Sequence, residues 1–494
     1  MNNRTDDYEA LRRRYPEFVY EDYHYEVNDE GLHIWFDFRM GEVVFHPEAV
    51  IEARPFLDLH TQGLDPLVFD IGMVELVSYW KSACPPTVRV LCGSLDEKQV
   101  AFWKKLYWNG LGEFYYTNGI TGHSDLTDIT GLTPSPSPRG EGSGMCTDRT
   151  VSTPLSARRG AGGEAGWAGG EAFLVPIGGG KDSVVTLELL RRAGKTIRPL
   201  IMNPRGATRE CARVAGFPLE EVLVICRRID PVLLDLNAKG YLNGHTPFSA
   251  MLAFYTRLAS ALSGIPNVAL SNENSANEAT VLGSTVNHQY SKSLEFEDDF
   301  REYCASMRPQ DNQTTGSHSI FNCQFSTFNY FSFLRPLSEL QIAMLFSRFT
   351  AYHDVFRSCN VGSKEDIWCG HCAKCLFAYI ILSPFIEPKR LNAIFGKSML
   401  DDLSLRHEFE QLIGNAETKP FECVGTVSEV RQALAMAIER WYPEQRPALL
   451  KDFMESNAHK VFKDFQNLKE LSPIGNLTDE ERNILQQACT EKNS

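Results

Sequence analysis

The sequence predicts an α/β protein built on a parallel, doubly wound sheet, and three observations carry that expectation. Residues 173–271 alternate short apolar runs with amphipathic ones in the order strand, helix, strand, helix, strand, helix, strand. The first of those runs ends in three glycines and opens a helix, the arrangement that places a ligand at the carboxyl ends of the strands. A flanking N-terminal segment shows its own strand alternation, and the chain beyond residue 376 reads as mostly helical.

Each element has a local reason. In "LHIWFDFRM" Leu32, Ile34, Phe36 and Phe38 share one face, and "EVVFHP" follows as a hairpin partner. "DPLVFDIGMVELVSYWKSA" opens on an Asp-Pro pair suited to a helix start, and "DEKQVAFWKKLYWNGLGEFYY" is a second helical stretch, whose Trp103, Trp108, Phe114 and Tyr115 read as core, with substrate stacking as the other reading. Residues 132–170 turn abruptly to Pro, Ser, Gly and Arg, a composition that buries too little apolar surface to fold, and read as a disordered insertion or linker. "FLVPI", "IRPLIM", "EVLVIC" and "VALS" are the strands of the alternating series. Its clearest helix carries Phe248, Met251, Leu252, Tyr255, Ala259 and Leu262 on one stripe, with Thr246 as N-cap and Pro247 in the first turn. "SEVRQALAMAIERWY" and "TDEERNILQQAC" are helical stretches near the C-terminus.

A formal charge of −14 leaves no excess of Lys and Arg to neutralise a nucleic-acid backbone, so nucleic acid is disfavoured and a small anionic ligand is compatible. The charged N-terminus has no apolar export segment, and nowhere do eighteen apolar residues run together, so neither secretion nor a membrane span is expected. Thirteen cysteines without an export signal are expected to be mostly reduced thiols of a cytoplasmic protein, and a tight cluster among them suggests metal or catalysis.

In "FLVPIGGGKDSVV" a strand ends in Gly178, Gly179 and Gly180, letting backbone amides turn toward an anion at the start of the next helix. The Walker A pattern is not met, because Val175 stands where its first glycine belongs and Asp182 where a hydroxyl residue follows the lysine. By itself the stretch also fits a glycine turn with Asp182 as helix N-cap. Further on, "SNENSANEAT" offers Glu273 and Glu278 as magnesium ligands or as a solvated turn. "SCNVGSKEDIWCGHCAKCLF" sets Cys369, Cys372 and Cys375 at successive Cys-x2-Cys spacings with Cys359 ten positions earlier, a donor set for a structural zinc with His371 as a substitute ligand. Packed unligated cysteines and working thiols are the other readings of that cluster.

Gly178, Gly179, Gly180, Lys181, Asp182 and Ser183 resemble the pyrophosphate loop of the ATP pyrophosphatase superfamily, with glycine at 178 in place of the family's serine. The resemblance implies a nucleotide-binding loop that grips the pyrophosphate leaving ATP, with Lys181 and Asp182 among the working groups. "FLRPLSELQIAMLF" is similar to a stretch before a helix in several members, which makes Arg335 a candidate for neutralising charge on the nucleotide. Over nearly its whole length the chain resembles the UDP-N-acetylmuramoyl-L-alanyl-L-glutamate epimerases, through "FDIGMVELVSYWK", "KKLYWNGLGEFYY", "VPIGGGKDSVVTLELL", "LSNENSANEATVLGSTVNHQYSKSLEFEDDF" and "CGHCAKCLFAYI".

That second resemblance implies ATP- and magnesium-dependent inversion of the terminal L-Glu of a UDP-MurNAc-dipeptide, with release of AMP and pyrophosphate. His288, Tyr290, Lys292 and Glu295 concentrate beyond the expected nucleotide site and are candidates for a base and a substrate clamp, His288 and Lys292 foremost; a polar surface loop fits them equally. Lys292 and Arg301 are further candidates to pair with the substrate's diphosphate or carboxylates. Two other functions remain open from sequence: adenylation and amidation of a small carboxylic acid, as in 7-cyano-7-deazaguanine synthase, and a non-catalytic nucleotide-binding scaffold. The expected organisation is an N-terminal α/β domain (1–131), the insertion (132–170), a pyrophosphate-loop ATP-binding domain (171–350), a cysteine-rich segment (351–380) and a helical region (381–494).

Overall fold

The computed structural model describes residues 4–59, 63–120, 128–131, 172–277, 287, 289–307, 328–455 and 466–491. Among them, one sheet of eleven strands organises the chain. The N-terminal segment supplies β1 (Glu17–Asn28), β2 (Gly31–Met40), β3 (Val43–Phe45), β4 (Glu48–Glu52), β5 (Thr87–Val90) and β6 (Asp128–Thr130). The alternating region supplies β7 (Ala172–Pro176), β8 (Thr196–Met202), β9 (Leu223–Arg228), β10 (Asn267–Leu270) and β11 (Asn329–Ser332). Their order is β11-β10-β7-β8-β9-β4-β2-β1-β5-β6, with β3 hydrogen-bonded to β2.

β11 through β9 form a parallel block, and β1, β5 and β6 form a second. Between them β2 and β4 run antiparallel to their neighbours, so the α/β class expected from sequence appears as a mixed sheet and not a wholly parallel one. The physical reason is the tight turn from Asn28 to Gly31: a connection this short permits only an antiparallel return. Asn28 Oδ1 accepts the Glu30 amide at 2.9 Å inside that turn.

Burial in β2 follows the predicted alternation, with Leu32, Ile34, Phe36 and Phe38 all fully buried. The helix Asp65–Trp80 is buried on nearly every face because it lies between the sheet and the helix Phe248–Ser263. Trp103, Phe114 and Tyr115 are core, and Trp108 packs half-buried against Tyr115.

Two buried ion pairs fasten these layers. Arg227 of β9 reaches both carboxylate oxygens of Glu75 at 2.6 and 2.8 Å, with Tyr255 donating to the same carboxylate at 3.0 Å. Arg257 meets Asp70 at 3.0 Å.

The long helix begins one step later than expected. Pro247 occupies the cap position without a side-chain cap, while the Thr246 hydroxyl accepts from Lys81 Nζ at 2.7 Å instead of serving the helix. Residues 132–170 lie outside the described residues. Among the described residues no helix is long and apolar enough to cross a membrane.

Candidate active site

Three loops at the carboxyl ends of neighbouring parallel strands converge: 177–180 after β7, 271–277 after β10 and 333–338 after β11. The first is the glycine loop. Gly179 has φ +82, and a Cβ there would stand 3.0 Å from Ala207 Cβ and 3.1 Å from the Thr208 amide, so the position requires glycine. Gly178 faces open space, where an added Cβ meets nothing within 4 Å.

Gly180, not Asp182, caps the helix Lys181–Arg192, and no side chain caps its first turn. Those leading amides are therefore available to an anion, and the helix dipole adds to the attraction. Ser183 turns its hydroxyl back to the Gly180 carbonyl at 3.0 Å. From outside, the Arg357 amide donates to the Gly179 carbonyl at 2.8 Å and fixes the loop.

Lys181 is buried between two carboxylates, those of Asp182 and Glu339, and pairs with both. Burial works against its charge, but the two anions outweigh it and hold the ammonium protonated. Glu339 is pushed up to about 8, first by burial and then by Asp182, Glu273 and Glu429, against the pull of Lys181. Its backbone amide donates to Glu429 Oε1 at 2.8 Å, while Glu429 Oε2 receives the Thr426 amide at 2.7 Å, so one carboxylate joins the starts of two helices.

Glu273 is buried beside this group and accepts from Ser275 Oγ at 3.2 Å. Glu278 and His288 lie outside the described residues. Asp182 and Glu273 both act electrostatically on Glu339, but among the described residues these three carboxylates do not gather closely enough to form a ready ligand cluster.

Arg335 is fully buried. Its guanidinium donates to the Glu273 carbonyl at 2.8 Å, the Lys292 carbonyl at 2.5 Å, Ser332 Oγ at 3.1 Å and Glu297 at 3.3 Å. It thus ties the acidic loop to the turn that carries Lys292. Lys292 Nζ in turn lies 3.0 Å from Cys423 Sγ.

The remainder of that polar stretch looks elsewhere. Tyr290 donates to Asp299 at 3.2 Å, Glu295 and Asp299 pair with Lys105, and Arg301 donates to Asn329 and the Tyr330 carbonyl.

The Sγ atoms of Cys359, Cys369, Cys372 and Cys375 all lie within 4.8 Å of one another. Sulfur separations of 3.9 Å (Cys359–Cys372) and 3.7 Å (Cys369–Cys375) match the edge of about 3.8 Å required by a tetrahedron with metal–sulfur bonds of about 2.3 Å. The Gly362 amide donates to Cys359 Sγ at 3.1 Å and the Cys375 amide to Cys372 Sγ at 3.4 Å, which favours thiolates. His371 bonds instead to the Cys369 carbonyl. The donor set therefore fits zinc.

Sequence reasoning missed Glu339, Glu429, Cys423 and Arg357. Glu339 lies inside the quoted "RPLSELQ" stretch, where Ser338 and Gln341 form a capping box that reads as a helix entry and hides the acid beside them. Cys423 belongs to no recognisable spacing. Arg357, two residues before the first cluster cysteine, keeps a buried Nε with no hydrogen-bond partner among the described residues, close to the glycine loop.

Comparison with known proteins covers both halves of this arrangement. Residues 9–313 match the family model described as the MurL N-terminal domain, and residues 355–466 match the MurL C-terminal domain. A protein of Salinispora tropica is 33% identical over 464 residues, 90% of this chain and 91% of its own. One from Xanthomonas oryzae pv. oryzae is 35% identical over 378 residues, covering 75% of this chain and 74% of its own. A Micromonospora protein is 34% identical over 408 residues, 81% and 80% of the two chains. No solved structure gives a significant match. All three relatives bear the name UDP-N-acetyl-alpha-D-muramoyl-L-alanyl-L-glutamate epimerase, and the chain belongs to that epimerase family.

Proposed function

We propose that this chain inverts the terminal L-Glu of UDP-MurNAc-L-Ala-L-Glu to D-Glu during peptidoglycan synthesis, using ATP and magnesium to activate the glutamate carboxylate as an adenylate. The observation that carries the reaction is the match along 90% of the chain to a relative named for it. Support for the activation step comes from the uncapped helix start behind Gly178–Gly180 and from the lysine and carboxylates around it.

The need for activation is chemical. Removing the α-proton of a carboxylate sets a second negative charge beside the first, whereas an acyl-adenylate has no charge on its carbonyl and delocalises the carbanion as an enolate. The amides of the glycine loop and Lys181 would hold the departing pyrophosphate. Asp182 and Glu273, with Glu339 behind Lys181, would hold magnesium on the phosphates. Arg335 keeps the Glu273 loop and the Lys292 turn in register. The four cluster cysteines would hold one structural zinc that fixes the segment carrying Arg357 against the loop. As a pyrophosphate-loop enzyme on a small anionic substrate, the protein would act in the cytoplasm and need no nucleic-acid or membrane partner.

Incubation with UDP-MurNAc-L-Ala-L-Glu, ATP and magnesium in deuterated water tests the reading. D-Glu bearing α-deuterium is expected, with AMP and pyrophosphate formed alongside. Protein that binds ATP yet yields neither inversion nor α-deuterium would remove the epimerase assignment.

A further inference from the structure

Inversion at carbon needs one group to take a proton from one face and another to deliver a proton to the opposite face. Zinc ligation would remove the four cluster cysteines from that role, and burial pushes Cys84, Cys211 and Cys489 up, so that they stay protonated as thiols. Cys423 differs. Its sulfur has an ammonium group within hydrogen-bond reach, Lys292 Nζ at 3.0 Å. A second lysine, Lys374, donates to its carbonyl. Burial raises the thiol, but Lys292 and Lys374 more than offset this and leave it below the ordinary thiol range.

The same segment reaches across to the N-terminal part of the chain. Phe421 packs on Tyr116 with ring centroids 5.2 Å apart, which sets residues 421–423 against the short helix Gly112–Thr117. That helix carries Glu113, whose carboxylate lies 3.5 Å from His245 Nδ1. Burial, the Cys423 thiolate and Glu422 push Glu113 up to about 7 against the pull of Lys81, so thiolate and carboxyl feel one another's charge. On its other side Lys292 is held charged against its burial by Cys423, Glu273 and Asp182. Lys292 and Cys423 are thus in direct contact, and the packing of Phe421 on Tyr116 brings their segment to the helix that carries Glu113.

The geometry points to Cys423 and Glu113 as the two proton-transfer groups of the epimerisation, one acting on each face of the activated glutamate, with Lys292 as the positioning residue that keeps the thiolate charged. This rests on the adenylation reading above. In the L-to-D direction the Cα–H bond breaks, its proton joins Cys423 sulfur, and its electrons pass into the adjoining carbonyl as an enolate. The Glu113 O–H bond then breaks, its proton bonds Cα from the other face, and the electrons return from the enolate oxygen. Cys423 is left as thiol and Glu113 as carboxylate; proton exchange with water restores both, and hydrolysis of the anhydride releases AMP.

The test uses full-length protein, with the L-Glu and D-Glu forms of the UDP-MurNAc-dipeptide supplied separately with ATP and magnesium in deuterated water. In Cys423→Ala and in Glu113→Gln, inversion is expected to fall by about 10²- to 10⁴-fold, the usual contribution of a general acid or base. AMP release continues in both. Each variant should also lose α-deuterium incorporation from one epimer while retaining it from the other, and the two variants should lose opposite ones. Inversion within about threefold of the unaltered protein in either variant overturns the assignment, as does loss of exchange from the same epimer in both.

Should either variant fail to fold, iodoacetamide on the unaltered protein decides. Alkylation of Cys423 ahead of the other described cysteines, with matching loss of inversion, is expected, and alkylation without that loss overturns the proposal. Inversion without AMP release in the unaltered protein defeats the adenylation reading instead, so the two failures are separable.

Discussion

Three adjacent glycines make different demands, and substituting them in turn tests the loop geometry. Gly179→Ala puts a Cβ at φ +82 and 3.0 to 3.1 Å from three atoms of Ala207 and Thr208. A left-handed conformation costs an L-residue about 1–2 kcal/mol, and overpacking against backbone costs about 1–3 kcal/mol. The expected loss is therefore about 2–5 kcal/mol, taken either from global stability or from the loop's native conformation. Gly180→Ala has no left-handed strain, and its Cβ meets Ser358 Cβ at 3.3 Å, which calls for a shift of a few tenths of an ångström. Gly178→Ser meets nothing and should stay within about 0.5 kcal/mol. Urea midpoints and substrate-dependent AMP release, measured on all three, should rank 178 mildest, 180 intermediate and 179 severe. A Gly179→Ala protein with unaltered midpoint and AMP release would refute the reasoning, as would a Gly178→Ser protein as damaged as Gly179→Ala.

Metal analysis of purified protein should find one zinc per chain, and Cys372→Ala should lose it with a lowered unfolding temperature; zinc content unchanged in that variant would contradict the four-sulfur site. Arg227→Met leaves Glu75 buried without its cation and should cost about 3–5 kcal/mol, whereas adding Glu75→Gln should recover part of that loss in the same urea experiment. L-to-D inversion requires Glu113 protonated and Cys423 ionised. With Glu113 at about 7, the turnover rate should decline as pH rises through that value, and it should decline again in acid as the thiol, lowered by its lysines, takes a proton. The groups facing Glu113 are Cys423, Glu422, Lys81 and His245, and a profile still rising through pH 8 would contradict the assignment.

What the sequence made legible was what short-range physics controls. β7 to β10 and their helices follow from periodicity and glycine placement, and the loop amides follow from Gly178–Gly180 being able to turn. β1 stayed hidden because "EFVYEDYHYEVN" mixes charges into its alternation, and a register shift between Tyr20 and Asp22 breaks the period. The β4–β9 seam, which joins the N-terminal strands to the parallel block, pairs residues far apart in the chain and leaves no local mark.

The same limit applies to the site. Lys181 finds Glu339 across 158 positions and Lys292 finds Cys423 across 131, so neither pair has a spacing to read. Arg335 was legible as a charged residue before a helix, but its complete burial among carbonyls and Glu297 depends on how two distant turns meet.

That arginine has a practical consequence for anyone altering this site. Its guanidinium grips the main-chain oxygens of residues 273 and 292 and is indifferent to which side chains those residues bear. Glu273 and Lys292 can therefore be exchanged for neutral residues while the turns that display them stay anchored. A change in reactivity on such an exchange reports the missing charge itself, separated from any collapse of its mounting.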